Sequence, residues 1–564
     1  MKNILIAIRS IFKKGRHNVM KIVSLGIGLA VGLVLIAKVY FEQSYDDFYP
    51  DRDRVYQVWA KYQQNGGELK DYPQTSGGIA PTMQQQIPEI ETVTRYTSFG
   101  DWTFTMTDTK MKYSGRCIIA DSCFFDILPR PMLIGNAKEV LSIPMYVLVS
   151  SRIAKNIGGD VIGKNFTVDS SPGRTMTIGG VFEEVPENSH SRYDVIVSMA
   201  SAGRFMWEGS PTNMLGNDRY ISYVKLHKGV NPLALEEQVH TFVNSYFPPE
   251  EQQKTGFNIG FSFHELDGLH KELPQVKRMT WILSLLAFAL IFTAVMNYIL
   301  IVISSIVNRS KEVAVHKCYG ASENNIHGMM FGEALVHIVL SLILALLLIL
   351  AFRGTVEELL ATSLDSLLLS NGSLVLLGIC ILVFFVSGFM PGSLYARIPV
   401  ASAFRNYREN KRIWKKALLL VQFVATGFLV TMLVFVARQY TFMVNDRPGY
   451  AYENLAYCGL AGVDSTSRAK ILDEVMRLPG VVAATTVYQL PFEHASGNNI
   501  LLPGETQELF NIADLYWVGN GYLDMMEIPV IQGRSFTENV TNSREVMVAV
   551  SYTHLRAHET SAHL

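Results

Sequence analysis

From Trp281 to Val307 the chain runs twenty-seven residues without a charge (WILSLLAFALIFTAVMNYILIVISSIV). About 20 helical residues cross the hydrocarbon of a bilayer, so this stretch reads as a membrane span, assigned to 281–307. The sequence then changes to NRSKEVAVHKCYGASENNIH, short, polar and basic. Gly320 offers a helix stop and Ser322-Glu323 a helix start. A span that delivers a small amphipathic helix to the cytoplasmic surface, over 308–330, is the expected arrangement.

The other apolar runs follow the same logic. Residues 1–21 carry Lys2, Arg9, Lys13, Lys14, Arg16 and Lys21 with no acid, and Ile4, Leu5, Ile8, Ile11 and Phe12 recur at helical spacing. That pattern predicts a basic amphipathic helix at the cytoplasmic interface. Further spans are expected at 22–41, 334–352, 374–390 and 417–437, with Pro391-Gly392 ending the fourth. A short acidic outer loop occupies 353–371, and a basic linker occupies 391–416. Basic segments alternate with the outer ones, which puts the N-terminus inside.

The polar segment 42–278 then lies outside. Runs such as YQVWA, YVLVS, MTIGGVF and ISYVKL read as strands, and Pro81–Gln86 and Leu233–Tyr246 as helical. The segment is long enough to bury its own core as an α+β domain. Cys117 and Cys123 lie in it and either pair or remain two half-buried thiols. Five cysteines this scattered make neither a disulfide scaffold nor a zinc site.

The beginning of the chain has an echo after residue 400. Phe125-Asp126 precedes Pro131 and Gly135 as Leu523-Asp524 precedes Pro529 and Gly533, and Pro88-Glu-Ile parallels Pro479-Gly-Val. Several matches in one order argue for duplicated half-units, with 438–550 the start of a second outer domain. By that parallel a complete chain would hold roughly 800 residues. The last stretch, 551–564, continues no pattern and reads as a non-native tail.

Catalytic chemistry finds no support. Gly158 to Lys164 fits a phosphate loop, but Asn165 stands where a Mg²⁺-binding Ser or Thr is needed. A turn before a strand at Asn165–Val168 is the better reading. There is no HExxH or GxSxG, and none of the assigned spans contains an acid. A net charge of −1 argues against nucleic-acid binding. No catalytic, cofactor or metal residue is therefore assigned. Within spans, Gly28 and Gly32 form a small-xxx-small pair suited to helix packing or, less readily, dimerisation. Asn297 and Gln422 suit inter-helix hydrogen bonds, and His337 an interfacial position.

The turn NRSKEVAVHKCYGAS resembles the R-x-x-E-x-x-x-x-K-x-x-G-A-S signature of FtsX/MacB-type ABC transporter permeases. DSCFFDILPRPMLIGN, and IGKNFTVDS with MTIGGVFEEVPENSHSRYDVIVS, resemble that family's periplasmic core domain. The resemblance implies a polytopic α-helical membrane protein with α+β, MacB-like periplasmic core domains, here a double-length member truncated at its C-terminus. It implies a multi-pass protein of the cell inner membrane, binding no cofactor itself, that works with a separate ABC ATPase using ATP and Mg²⁺. It also implies a homo- or heterodimer, with a periplasmic adaptor or outer-membrane protein as a further partner. Arg309, Lys311, Glu312, Lys317, Gly320, Ala321 and Ser322 would form the ATPase-coupling segment. Mechanotransmission for export or extraction of a peptide, a macrolide-like lipophilic compound or a lipoprotein is the leading expectation. The alternatives are an FtsX-type regulator of a periplasmic enzyme or sensor, and a membrane-anchored scaffold without energy coupling.

Overall fold

The computed structural model describes residues 17–535, apart from 65, 66, 68, 170, 217, 397, 398, 401–412, 446–448, 461, 462, 491–495 and 502–507. The amphipathic helix expected over 1–21, most of the 391–416 linker and the 551–564 tail fall largely or wholly outside that range. Two compact units divide at residues 430 and 431.

In the first unit, helix α1 (Asn18–Gln43) leads into the outer domain. Its strands are β1 (Val55–Gln64), β2 (Lys70–Tyr72), β3 (Ile90–Met106), β4 (Lys112–Ala120), β5 (Met132–Ile134) and β6 (Tyr146–Ser150). After these come β7 (Asn165–Val168), β8 (Ser171–Phe182), β9 (Val195–Ser198), β10 (Ile221–Leu226) and β11 (Phe257–Glu265). They form one mixed sheet in the order β11-β1-β10-β3-β4-β9-β6-β8-β5, with β2 on β1, and β7 on β3 and β8.

Continuous apolar runs at the centre have a physical reason. Successive side chains of a strand point to opposite faces. Cys117 and Ile119 of β4, Val147 and Val149 of β6, and Val195 and Val197 of β9 enter one core. Their neighbours Ile118, Leu148 and Ile196 enter another. Both faces are covered, so neither alternates with polar residues. Helices α2 (Ile79–Gln86) and α3 (Glu236–Tyr246) supply a third core. The Gly158–Lys164 loop is a turn between the helix Ser151–Ile157 and β7, with the Lys164 ammonium donating to the Gly158 carbonyl at 3.2 Å. Cys117 and Cys123 do not pair: Cys117 is buried in β4, and the Cys123 thiol donates to the Val93 carbonyl at 3.0 Å.

The chain returns through α4 (Pro274–Ser304), α5 (Ile306–Cys318) and α6 (Glu323–Ala351). Two short helices, α7 (Arg353–Leu360) and α8 (Leu364–Leu368), precede α9 (Ser373–Ala396) and α10 (Ile413–Asn445). Among the described residues five helices, α1, α4, α6, α9 and α10, are long and apolar enough to cross a membrane. Helix α1 packs against α4 through its glycines. A Cβ on Gly28 would stand 2.3 Å from the Ala294 Cβ, and one on Gly32 would stand 2.4 Å from Ile291 Cγ1.

Several boundaries differ from expectation. Helix α6 starts at Glu323, as the Ser322-Glu323 signal predicts, and runs unbroken into the apolar stretch assigned from Ala334, so Glu333 is a buried residue of the same helix. Helix α9 runs through Pro391-Gly392 to Ala396. Close packing holds it there: Gly388 lies against Phe331, and Gly392 against His327. His337 is buried among the helices and shares a 3.1 Å hydrogen bond with the Tyr298 hydroxyl. Asn297 faces outward from α4 and so does not join these helices. Gln422 is buried, but its Nε2 finds no hydrogen-bond partner among the described residues.

In the second unit α11 (Ser465–Met476) precedes the hairpin β12 (Ser496–Leu501) and β13 (Glu508–Leu515), and then α12 (Tyr522–Met525). The repeat extends to conformation. Asp524 is the third residue of α12, as Asp126 is of the helix Phe124–Ile127. Gly135 and Gly533 both adopt positive φ, 85° and 95°.

Candidate functional site: a charge cluster joining a short helix to the spans

Helix α5 begins one residue after α4 ends. Ser305 makes the joint by donating to the Val302 carbonyl at 2.6 Å, a side-chain bond that competes with the helical ladder and bends it. Tyr395 at the end of α9 seals the same spot. Its hydroxyl lies 3.1 Å from Ser305 Oγ and donates to the Val302 carbonyl at 3.1 Å. At its other end α5 stops at Gly320, whose φ of 85° is left-handed backbone that glycine adopts without steric cost. Ser322 then caps α6, its hydroxyl accepting from the Asn325 amide at 3.4 Å.

The inner face of α5 carries a buried ion cluster. Arg309 Nη1 lies 2.8 Å from Glu333 Oε2, and its Nε lies 3.6 Å from Glu312 Oε2. The guanidinium also sits 5.5 Å from the Tyr395 ring centroid, a cation–π contact. Across the bundle, Lys21 of α1 places its ammonium 3.7 Å from Glu333 Oε1. Burial works against the Arg309 charge, but Glu333, Tyr395 and Glu312 outweigh it and its pKa stands above the ordinary value. One carboxylate thus serves two buried cations from two other helices. Lys317 adds a further tie, donating to the Ala396 carbonyl of α9 at 2.7 Å.

The expected coupling residues therefore divide. Arg309 and Lys317 turn toward the bundle instead of outward, and Glu312 is half-buried beside Arg309. Lys311, Gly320 and Ser322 are exposed, and Ala321 is half-buried. Val315, His316 and Tyr319 share the open surface, Tyr319 with 89% of its area exposed. Sequence reasoning missed Lys21 and Glu333. Arg309 and Glu333 lie at roughly equal distances on either side of Gly320, and that spacing was the available signal for their meeting.

An α+β outer domain continuous with apolar spans, and a short helix locked by charge at the opposite end of the bundle, define a polytopic membrane protein with a periplasmic domain. Two family models match the chain: "MacB-like periplasmic core domain" over residues 20–242 and "FtsX-like permease C-terminal" over 284–400. The chain belongs to the FtsX/MacB-type ABC transporter permeases, and its role is that of an ABC permease. Permeases of this family work with an ATPase.

Among solved structures, one domain of a permease protein from Porphyromonas gingivalis is 32% identical. The match covers 38% of this chain and 91% of that one, at a TM-score of 0.36. The periplasmic region of MacB from Actinobacillus actinomycetemcomitans is 16% identical, covering 39% and 92%, at a TM-score of 0.27. The extracellular domain of the ABC-type transporter YknZ from Gram-positive bacteria is 10% identical, covering 36% and 98%, at a TM-score of 0.27. No curated protein matches the chain.

Proposed function

We propose that this chain couples a separate cytoplasmic ATPase, which holds ATP and Mg²⁺, to movement of the outer domain. The observation that carries the reading is the two-sided character of α5. Its inner face is bonded to α6 and α9, and through Glu333 to α1. Its outer face presents Lys311, Val315, His316 and Tyr319, all exposed among the described residues. A large exposed tyrosine beside basic residues is the composition of an interface anchor. A push on that surface moves a rigid helix whose other side grips the spans, because packed elements shift as units instead of deforming continuously.

On this reading the protein acts in the inner membrane with a second permease subunit. The work done outside is export or extraction of a peptide, lipophilic compound or lipoprotein, with a periplasmic adaptor or outer-membrane protein receiving it. The test is purification of the full chain from its native membrane, followed by ATPase assay. Tyr319→Ala and Lys311→Ala are expected to lower co-purified ATPase activity at least fivefold while leaving thermal stability unchanged. Absence of any associated ATPase, or unchanged activity in both variants, would refute the coupling role.

A further inference from the structure

Where the outer domain meets the spans, four residues in a row reach across. Helix α1 is followed by Ser44, Tyr45 and Asp46, and Asp46 takes a left-handed φ of 57°. Its buried carboxylate accepts from Ser189 Oγ at 2.6 Å and from the His190 amide at 3.2 Å, and it also bonds the His190 ring. Asn188 donates from Nδ2 to the Ser44 carbonyl, and the Asp46 amide donates to the Asn188 carbonyl at 2.9 Å. The preceding residue, Glu187, points elsewhere. Its carboxylate accepts from the Ser363 amide at 2.9 Å, where Ser363 caps α8.

The connectivity gives that last bond its meaning. Helices α1 and α4 run directly into the outer domain through the chain. Helices α6 and α9 do not; outside the membrane they are joined to each other by α7 and α8. Helix α8 also rests on α1, with Leu367 in a small cluster beside Ala37 and Phe41. Lys38 of α1 donates to Thr362 Oγ1 at 2.8 Å and pairs with Glu42 at 2.7 Å. Glu42 in turn bonds His270, just ahead of α4, and the His270 ring stacks on Tyr45 at 3.7 Å between centroids. Helix α6, which carries Glu333, therefore ends outside at a loop bonded directly to the outer domain.

We infer that the turn Glu187–His190 is a clamp fastening the outer domain to the 361–368 loop, with Glu187 the positioning residue. The loop becomes a non-covalent route by which α6 moves the domain, alongside the covalent routes through α1 and α4. This inference rests on the transmission role proposed above and adds the path. The Glu187 carboxylate takes the amide of the capping residue itself, while Glu357 of α7 takes the next amide, that of Leu364, at 2.9 Å.

The test uses the full chain in lipid nanodiscs and reads amide hydrogen exchange. Glu187→Ala should speed exchange across 361–368 by roughly tenfold or more, as for an amide that loses a bond to a charged acceptor. Glu187→Gln keeps a carbonyl acceptor and should restore much of the protection. The path is then probed from the inner end without any ATPase. Glu333→Gln, or the milder Arg309→Lys, should change exchange at 186–192 when Glu187 is present and change it clearly less in the Glu187→Ala background, where only the routes through α1 and α4 remain. Unaltered exchange at 361–368 in Glu187→Ala overturns the clamp. An inner perturbation that reaches 186–192 equally in both backgrounds, or in neither, overturns the route. Neither result depends on an ATPase, so the coupling role stands or falls separately.

Discussion

Replacing Glu333 with glutamine removes the one carboxylate shared by two buried cations, Lys21 and Arg309. At an effective dielectric of about 20, a unit pair at the 2.8 Å of Arg309 attracts by about 6 kcal/mol, and one at the 3.7 Å of Lys21 by about 4. Desolvation offsets most of that, and breaking one side of a buried pair typically costs about 3–5 kcal/mol. The upper part of that range is expected here, because both cations lose their shared carboxylate and Arg309 keeps only half-buried Glu312 at 3.6 Å. Thermal unfolding in nanodiscs at fixed lipid composition should show a midpoint lowered by roughly 5–10 °C. Glu358→Gln, at an exposed position, is the control and should change it little. A second change, Arg309→Met in the Glu333→Gln background, should recover part of the loss, since it removes a buried cation that has lost its nearer carboxylate. If Glu333→Gln shifts the midpoint no more than Glu358→Gln, the cluster is not what holds α5 to the spans.

Two further tests bear on packing and on the outer domain. Gly28→Ala should destabilise by about 1–3 kcal/mol through overpacking against Ala294. Gly427→Ala, where a Cβ meets nothing within 4 Å, should be neutral or slightly stabilising in the same unfolding assay. Burial, with Asp121 adding to it, pushes the Cys123 thiol up to about 11. Maleimide at pH 7.5 should therefore label exposed Cys318 while sparing Cys123 and buried Cys117, as read by mass spectrometry. The folded thiol stays neutral while an unfolded one ionises near 8.5. Its contribution to stability is complete below about pH 8.5 and is lost as pH rises toward 11, a loss that Cys123→Ser should abolish.

Much of the fold was legible because its determinants are local. Uncharged runs marked the spans, and runs such as YVLVS marked strands. The turn at Gly320 and the capping Ser322 stood in the sequence as stop and start. The charge cluster was less legible because it is made by pairing. A hydropathy window beginning at Ala334 leaves Glu333 just outside the span, since a charged residue looks like a boundary when its partner is unseen. Pro391 looked like an end for the same reason. Only the close packing of α6 against Gly388 and Gly392 shows why the helix continues. For Asn297, an amide in a span suggests glue, but periodicity alone does not say which face of α4 it takes, and it lies on the exposed one.

The two ends of the bundle differ in a way that bears on mechanism. At the inner end α5 is held by charge, with Glu333 paired to cations from two other helices. Such pairs are strong only in good geometry and weaken quickly when it changes, so the cluster favours one arrangement of α5 over intermediate ones. At the outer end the clamp is built of shorter side chains and a backbone amide, with Asp46 fixed by Ser189 and His190 from one turn. Those bonds tolerate little sliding but survive rotation of the domain as a body. A displacement started at Tyr319 would thus be thresholded where it enters α6 and passed on rigidly where it leaves. That ordering requires substitutions in the inner cluster to alter whether the outer domain moves, and substitutions at Glu187 to alter how far. Exchange measurements on the paired variants separate the two. A Glu187 variant that changes the midpoint of the response, instead of its amplitude, would contradict the division.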